Sequence, residues 1–238
     1  MIDGQKVWTS LAHFSHWCFV LCRTDRDAPR HRGISYLLVP MDQPGIEVRP
    51  IVQITGTSEF NEVFFDGART AAENIVGEVN GGWRVAMGTL AFERGALTLG
   101  QQLTFMNEWR EIVETAKRRG NVADPILRQR LMQAWVELEI MRFTALRSLS
   151  SLEEGTLTRE TSISKLYWAT LHRELGNLAM DVLGPEAELA EGAPYDLTLA
   201  QRIFLFTRSD TIYGGSNQIQ RNVIGERALG LPPEPKVV

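Results

Sequence analysis

The sequence predicts an α+β protein, mainly helical: a partial antiparallel β-domain followed by an antiparallel helical bundle. Three observations predict it. Short runs rich in Val, Ile, Leu and aromatics, separated by turn formers, fill the first third of the chain. From Gly82 onward the apolar period becomes helical. The helical runs are long and the loops between them short, the pattern of an antiparallel bundle. We divide the chain into a β portion over 1–79 and a bundle over 80–238.

The β portion reads as four strands, Trp17–Arg23, Ile34–Pro40, Ile46–Ile54 and Glu62–Phe65. Asp25–Arg32, Asp42–Gly45 and Thr55–Ser58 are the turns, and Asp66–Asn80 is a connector. Four strands make a thin open sheet, marginal alone, so either the bundle covers it or part of the domain is missing. The first helix spans Trp83–Arg119, with apolar residues at 83, 86, 87, 90, 97, 103, 106, 109, 113 and 116 and Gly120 as a stop. Asp124-Pro125 opens the second, with Asp as N-cap and Pro in the first turn. It runs to about Leu152 and ends at Gly155. The third spans Arg159–Leu183, closed by Gly184-Pro185, and Gly192–Pro194 is a loop. Two shorter helices follow, Asp196–Ser209 and Ser216–Leu229, split by Gly214-Gly215.

Composition bounds the function. The chain has 238 residues, 44% hydrophobic and 23% charged, enough to bury a core. A net charge of -4 offers no basic face for nucleic acid. No apolar run is long enough for a bilayer, and Met1–Ser10 lacks a signal-peptide pattern. Cys18 and Cys22 lie on one strand, roughly 13 Å apart by strand rise. A disulfide needs its Cα atoms within roughly 7 Å, so they cannot pair there, and a cytoplasmic location fits.

Three segments could carry chemistry. Glu93, in Phe92-Glu-Arg-Gly95, follows the apolar stripe at Ala86, Leu90 and Leu97. Burial there would raise its pKa toward that of a working base; an ion pair with Arg94 is the plainer role. Gly88, Gly95 and Gly100 in the same helix imply a close approach, since each costs about 1 kcal/mol there. Tyr213-Gly-Gly-Ser-Asn-Gln-Ile-Gln-Arg221 opens a helix whose free N–H groups suit a phosphate or oxyanion; Ser216 as a simple N-cap explains it equally. In Gly4–Ser10, Trp8 beside two hydroxyls can stack on a flat heterocycle, or pack on the core from a strand. His13 and His16 read as loop histidines without a ligand cluster. His172 reads as a surface or packing residue.

In this order the three segments resemble the acyl-CoA dehydrogenase family, over almost the whole chain. Asp3–Ser10 is similar to the family's Asn-Gly-Gln-Lys-x-Trp-x-Ser/Thr stretch, and Gly215–Asn222 to its terminal Gly-Thr-x-Glu/Gln-Ile-Gln-Arg-Asn motif. The resemblance implies FAD as cofactor, held by Trp8, Ser10, Ser216 and Gln218. It implies an acyl-CoA substrate contacted by Arg94 and Gly214, with the Gly214 backbone N–H polarising the thioester. It also implies electron-transfer flavoprotein or a similar acceptor, a homo- or hetero-oligomer, and a role in fatty acid or lipid catabolism. Many members place the catalytic Glu just before the terminal motif, where this chain has Gly214. Others place it on the first bundle helix directly before an Arg, which makes Glu93 the base.

The chain also departs from the family. The N-terminal helical domain and the first half of the β-domain are expected to be absent. The usual Arg-x-x-Phe-Gly segment is replaced by Arg118–Asp124, and Gly-Gly by Gly184-Pro185. The expected function is therefore an acyl-CoA dehydrogenase present as a C-terminal portion. The alternatives are a non-catalytic or partner subunit of a split hetero-oligomeric dehydrogenase, or an inactive truncated product.

Overall fold

The structure is a computed structural model that describes residues 1–153, 159–190, 196–233 and 235; the side chains of 91–98, 151–153 and 159–160 lie outside it. The expected helix end at Gly155 and the loop at Gly192–Pro194 fall outside the described residues. The chain forms two compact units, Met1–Phe92 and Glu93–Val238.

The first unit has five strands, β1 (Ile2–Ser10), β2 (Trp17–Arg23), β3 (Ile34–Pro40), β4 (Ile46–Ile51) and β5 (Phe60–Ala68). One sheet has the order β1-β5-β4, and β2-β3 is a separate antiparallel hairpin. β5 is central, so Asn61, Val63 and Phe65 point inward at alternate positions. Val20, Leu37 and Val39 of the hairpin pack in the same core. β1 is the strand that the sequence reading did not separate from its surroundings. Only Ile2 of it is buried, so it carries no alternating apolar signal. β4 stops three residues short of the expected Ile54, because Gly56 N–H closes a turn on the Gln53 carbonyl (2.9 Å). The connector is not free: Val76 N–H bonds the Tyr36 carbonyl and Ile75 bridges to Leu37. Cys18 and Cys22 are half-buried free thiols on β2. Burial, with Cys22 nearby, pushes Cys18 up to about 11, so it is a poor nucleophile at neutral pH.

Helix α1 (Gly82–Arg118) runs through the division between the units. The second unit continues with α2 (Pro125–Glu153), α3 (Arg159–Leu183), α4 (Leu199–Asp210) and the short α5 (Asn217–Val223), which ends in a π-helical turn. Asp124 caps α2 through its carboxylate on Ile126 N–H (2.8 Å). α4 starts later than Asp196 because Thr198 and Gln201 form a reciprocal capping box. α3 is the hub. Its Tyr167 hydroxyl donates to the Glu137 carbonyl of α2, and α4 lies against its other side. At Gly176 a Cβ would meet Thr207 Oγ1 at 2.7 Å and Phe204 Cα at 3.0 Å, so only glycine lets α4 come this close.

The stripe on α1 is shifted from its expected line. Met106, Ala116, Trp109 and Val113 do face the core, joined by Phe105 and Ile112, whereas Leu103 is 63% exposed. Leu90 and Met87 are exposed as well. A Cβ at Gly88 or Gly100 would meet no described atom of this chain within 4 Å. Leu138 of α2 is fully buried at the centre of this core. Leu138→Ala should lower stability by about 2–5 kcal/mol, read from the urea midpoint at constant m-value; a loss under about 1 kcal/mol would show that α2 does not pack as described.

Candidate functional site

Trp8 does not pack on the core. Its backbone sits at φ 62, inside a register shift of the β1–β5 pairing between Lys6 and Thr9. A non-glycine residue in this region is uncommon and, for a bulky side chain, strained. The bulge turns the indole outward, leaving it 62% exposed with its edge toward Phe60 at 6.1 Å between ring centroids. Ser10, two residues on, is also exposed and pairs with Phe60. An exposed indole face beside a hydroxyl can stack on an aromatic ring and bond its edge. His13, exposed, bonds Asn61 Oδ1 (3.1 Å), and His16 is exposed.

The second constellation surrounds the turn from α4 to α5. Asp210 ends α4 and is 1% exposed. Its carboxylate accepts from the Tyr213 hydroxyl (2.6 Å) and faces His172 Nδ1 (2.6 Å), and its carbonyl accepts from Lys165 Nζ. His172 Nε2 faces Glu108 of α1 (2.8 Å), while the ring stacks on Phe105 at 3.7 Å. Burial works against protonation of His172, but the bonds to Asp210 and Glu108 outweigh it and raise its pKa. Burial, the Asp210 hydrogen bond and its charge push the Tyr213 phenol up. Burial lowers Lys165, opposed by Asp210. The Lys165 ammonium lies over the rings of Trp168 (5.1 Å) and Tyr213 (5.5 Å).

Beyond Tyr213 the turn passes through Gly214 (φ 62) and Gly215 (φ 93). Gln220 Nε2 donates to the Gly214 carbonyl (3.0 Å), which fixes that peptide. Ser216 is the N-cap of α5, accepting from Ile219 N–H. A cavity of about 270 Å³ opens beside it, lined by Thr170, Arg173, Thr211, Ser216, Asn217, Gln218 and Arg221. Asn217 Oδ1 is buried with no hydrogen-bond partner among the described residues. Two guanidinium-bearing residues and three hydroxyls in one hollow suit a polar ligand with anionic groups, and the Asn217 oxygen is free to accept from a donor on it.

The family model for the acyl-CoA dehydrogenase C-terminal domain matches residues 80–229, and that for the middle domain matches 1–68. The chain belongs to the acyl-CoA dehydrogenase family. Acyl-CoA dehydrogenase IpdE1 of Mycolicibacterium smegmatis is 56% identical over 99% of this chain and 59% of that protein. Acyl-CoA dehydrogenase FadE34 of Mycobacterium tuberculosis is 39% identical over 98% of this chain and 31% of its own length. Among solved structures, the Tcur3481-Tcur3483 steroid ACAD is similar at TM-score 0.86 and 28% identity, over 98% of this chain and 61% of that one. The ChsE4-ChsE5 complex from Mycobacterium tuberculosis is similar at TM-score 0.80 and 29% identity, over 98% and 61%. The chain thus spans about three fifths of the length of IpdE1.

Of the residues singled out in this acyl-CoA dehydrogenase-family sequence, Gly214, Ser216 and Gln218 come together on one turn and helix start. Trp8 and Ser10 share the bulged end of β1. Glu93 and Arg94 lie on α1, with side chains outside the described residues. The two segments that depart from the family pattern meet each other. Arg119 pairs with Glu186 (2.8 Å) and bonds the Leu183 carbonyl (3.0 Å), and Asn121 bonds the Val182 carbonyl (2.7 Å). His172, expected to be a surface or packing residue, is buried and also faces two carboxylates, whose residues sit 64 and 38 positions away in sequence. Among the described residues no helix is long and apolar enough to cross a membrane, and no His, Cys, Asp or Glu group could hold a metal ion.

Proposed function

We propose that this chain carries part of the middle domain (1–79) and the C-terminal bundle (80–238) of an FAD-dependent acyl-CoA dehydrogenase, which introduces an α,β double bond into an acyl-CoA thioester. The observation that carries this reading is 56% identity, over 99% of the chain, to a protein named as an acyl-CoA dehydrogenase. Family members are typically FAD-dependent. The residues present fit that group. The indole of Trp8 offers an exposed aromatic face with Ser10 beside it. The hollow at Ser216 and Gln218 offers cationic side chains and an unsatisfied Asn217 oxygen to a polar cofactor.

FAD, when bound, supplies the acceptor for the hydride that leaves the β-carbon. Glu93 takes the proton from the α-carbon as general base. The Gly214 N–H, on an exposed glycine whose carbonyl is tied to Gln220, donates to the thioester oxygen and stabilises enolate character. Arg94 contacts the substrate beside Glu93. Electron-transfer flavoprotein or a similar acceptor would be the redox partner.

The chain, reconstituted with FAD, should lose its oxidised-flavin absorbance on anaerobic mixing with a suitable acyl-CoA. Bound flavin that stays oxidised with short, branched and long acyl-CoAs, alone and with candidate partner chains, would sink the assignment. A second reading, a subunit of a split hetero-oligomeric dehydrogenase, draws support from the likeness to a chain of the ChsE4-ChsE5 complex. Bleaching only after a second chain is added would select it.

A further inference from the structure

The α4–α5 turn is held by a relay that crosses the bundle. Glu108 on α1 meets one ring nitrogen of His172 on α3, and Asp210 on α4 meets the other. A neutral imidazole has one N–H and one lone pair. Between two carboxylates the lone pair would face negative oxygen, so this geometry requires both nitrogens to donate. Asp210 passes the restraint on. Its other oxygen fixes the Tyr213 hydroxyl, one residue before Gly214, and its carbonyl fixes Lys165. Arg208 adds a further positive charge acting on Asp210. Asp210 thus faces the cations of His172, Lys165 and Arg208, and Glu108 faces His172.

We propose that His172 is a positioning residue that, as an imidazolium between Glu108 and Asp210, holds the turn presenting the Gly214 N–H. The role assigned to that N–H rests on the acyl-CoA dehydrogenase reading; the restraint on the turn does not. A neutral His172 loses one of its two carboxylate bonds and leaves a buried carboxylate underpaired. The turn should then loosen while the apolar core around Leu138 and Leu175 stays closed, because neither touches the relay through a polar atom. The sign follows from the raised pKa. The relay's contribution is complete below the ordinary histidine value of 6.5 and is lost as pH rises through the higher folded value.

Hydrogen exchange on the full chain between pH 6 and 9, corrected for intrinsic rates, tests this without flavin or substrate. In the parent, amides of residues 211–217 should lose protection by about tenfold or more as pH rises. Glu108→Gln keeps the side chain's shape at the less buried end of the relay. It should move that loss to lower pH and leave α2 and α3 core amides unchanged. His172→Gln should show low turn protection at every pH. Identical turn protection in the parent and Glu108→Gln across the range would overturn the proposal. So would turn and core opening together in Glu108→Gln, which would make the relay a general structural element. Flavin reduction is measured separately. Its absence would remove the dehydrogenase reading and leave the exchange result standing, whereas active enzyme with unchanged exchange would remove only the role of His172.

Discussion

Glu93→Gln should lower the rate of acyl-CoA-dependent flavin reduction by about 10²–10⁴-fold or more, the usual contribution of a general base. The α-protons of a thioester are weakly acidic, so the loss should sit toward the upper end. Gln keeps size and polarity and removes basicity. Flavin content and acyl-CoA affinity should therefore change little, which places the defect in the chemical step. The support for Glu93 is its position on α1 directly before Arg94 and the glycine at 214, where other family members carry the carboxylate. Burial of the whole apolar stripe is not part of that support, because Leu90, three residues earlier on α1, is exposed. Single-turnover stopped-flow kinetics decides the matter. A variant that reduces flavin as fast as the parent assembly would return Glu93 to the role of ion-pair partner.

The bundle was the legible part of this fold. Asp124-Pro125 and Gly184-Pro185 are local start and stop chemistry: α2 begins at the first and α3 ends at the second. The start of α4 was readable but overlooked, since Thr198-x-x-Gln201 is a capping-box pattern. β1 was not legible, because its pairing with β5 rests on backbone bonds and a bulge rather than on an apolar face. The line of α1 that turns inward was set by α2: Trp109 Nε1 bonds the Leu131 carbonyl and Gln102 the Leu138 carbonyl, and neither partner is near in sequence. The same limit applies to the site. Gly214, Ser216 and Gln218 are contiguous and stood out as a motif. Glu108, His172, Lys165 and Asp210 are single polar residues on three helices, and only the packing brings them together.

Moving the carboxylate to position 214 should fail to restore activity while Lys165 is present. Two features of the turn oppose a glutamate there. Gly214 sits at φ 62, a conformation that costs a side chain on the order of 1–2 kcal/mol. A Cβ built on it would also lie 3.5 Å from Lys165 Cε, which puts a Glu carboxylate within reach of the ammonium. An opposite charge at that range lowers a carboxyl pKa by about 1–3 units, away from the value a base needs near neutral pH. The Glu93→Gly, Gly214→Glu double variant should thus remain within about tenfold of Glu93→Gln in flavin reduction. Adding Lys165→Met removes the charge and keeps an unbranched side chain between Trp168 and Tyr213. The triple variant should regain about 10–100-fold over the double one. Its rate should rise with pH through a carboxyl titration that the double variant shows only at lower pH. Lys165→Met alone, in the Glu93 background, reports how much rate is lost through the turn that Lys165 helps to hold, and the gain of the triple variant is taken relative to that loss. Rescue by the double variant with Lys165 in place would show that the ammonium does not reach position 214, and the charge argument at this turn would fall.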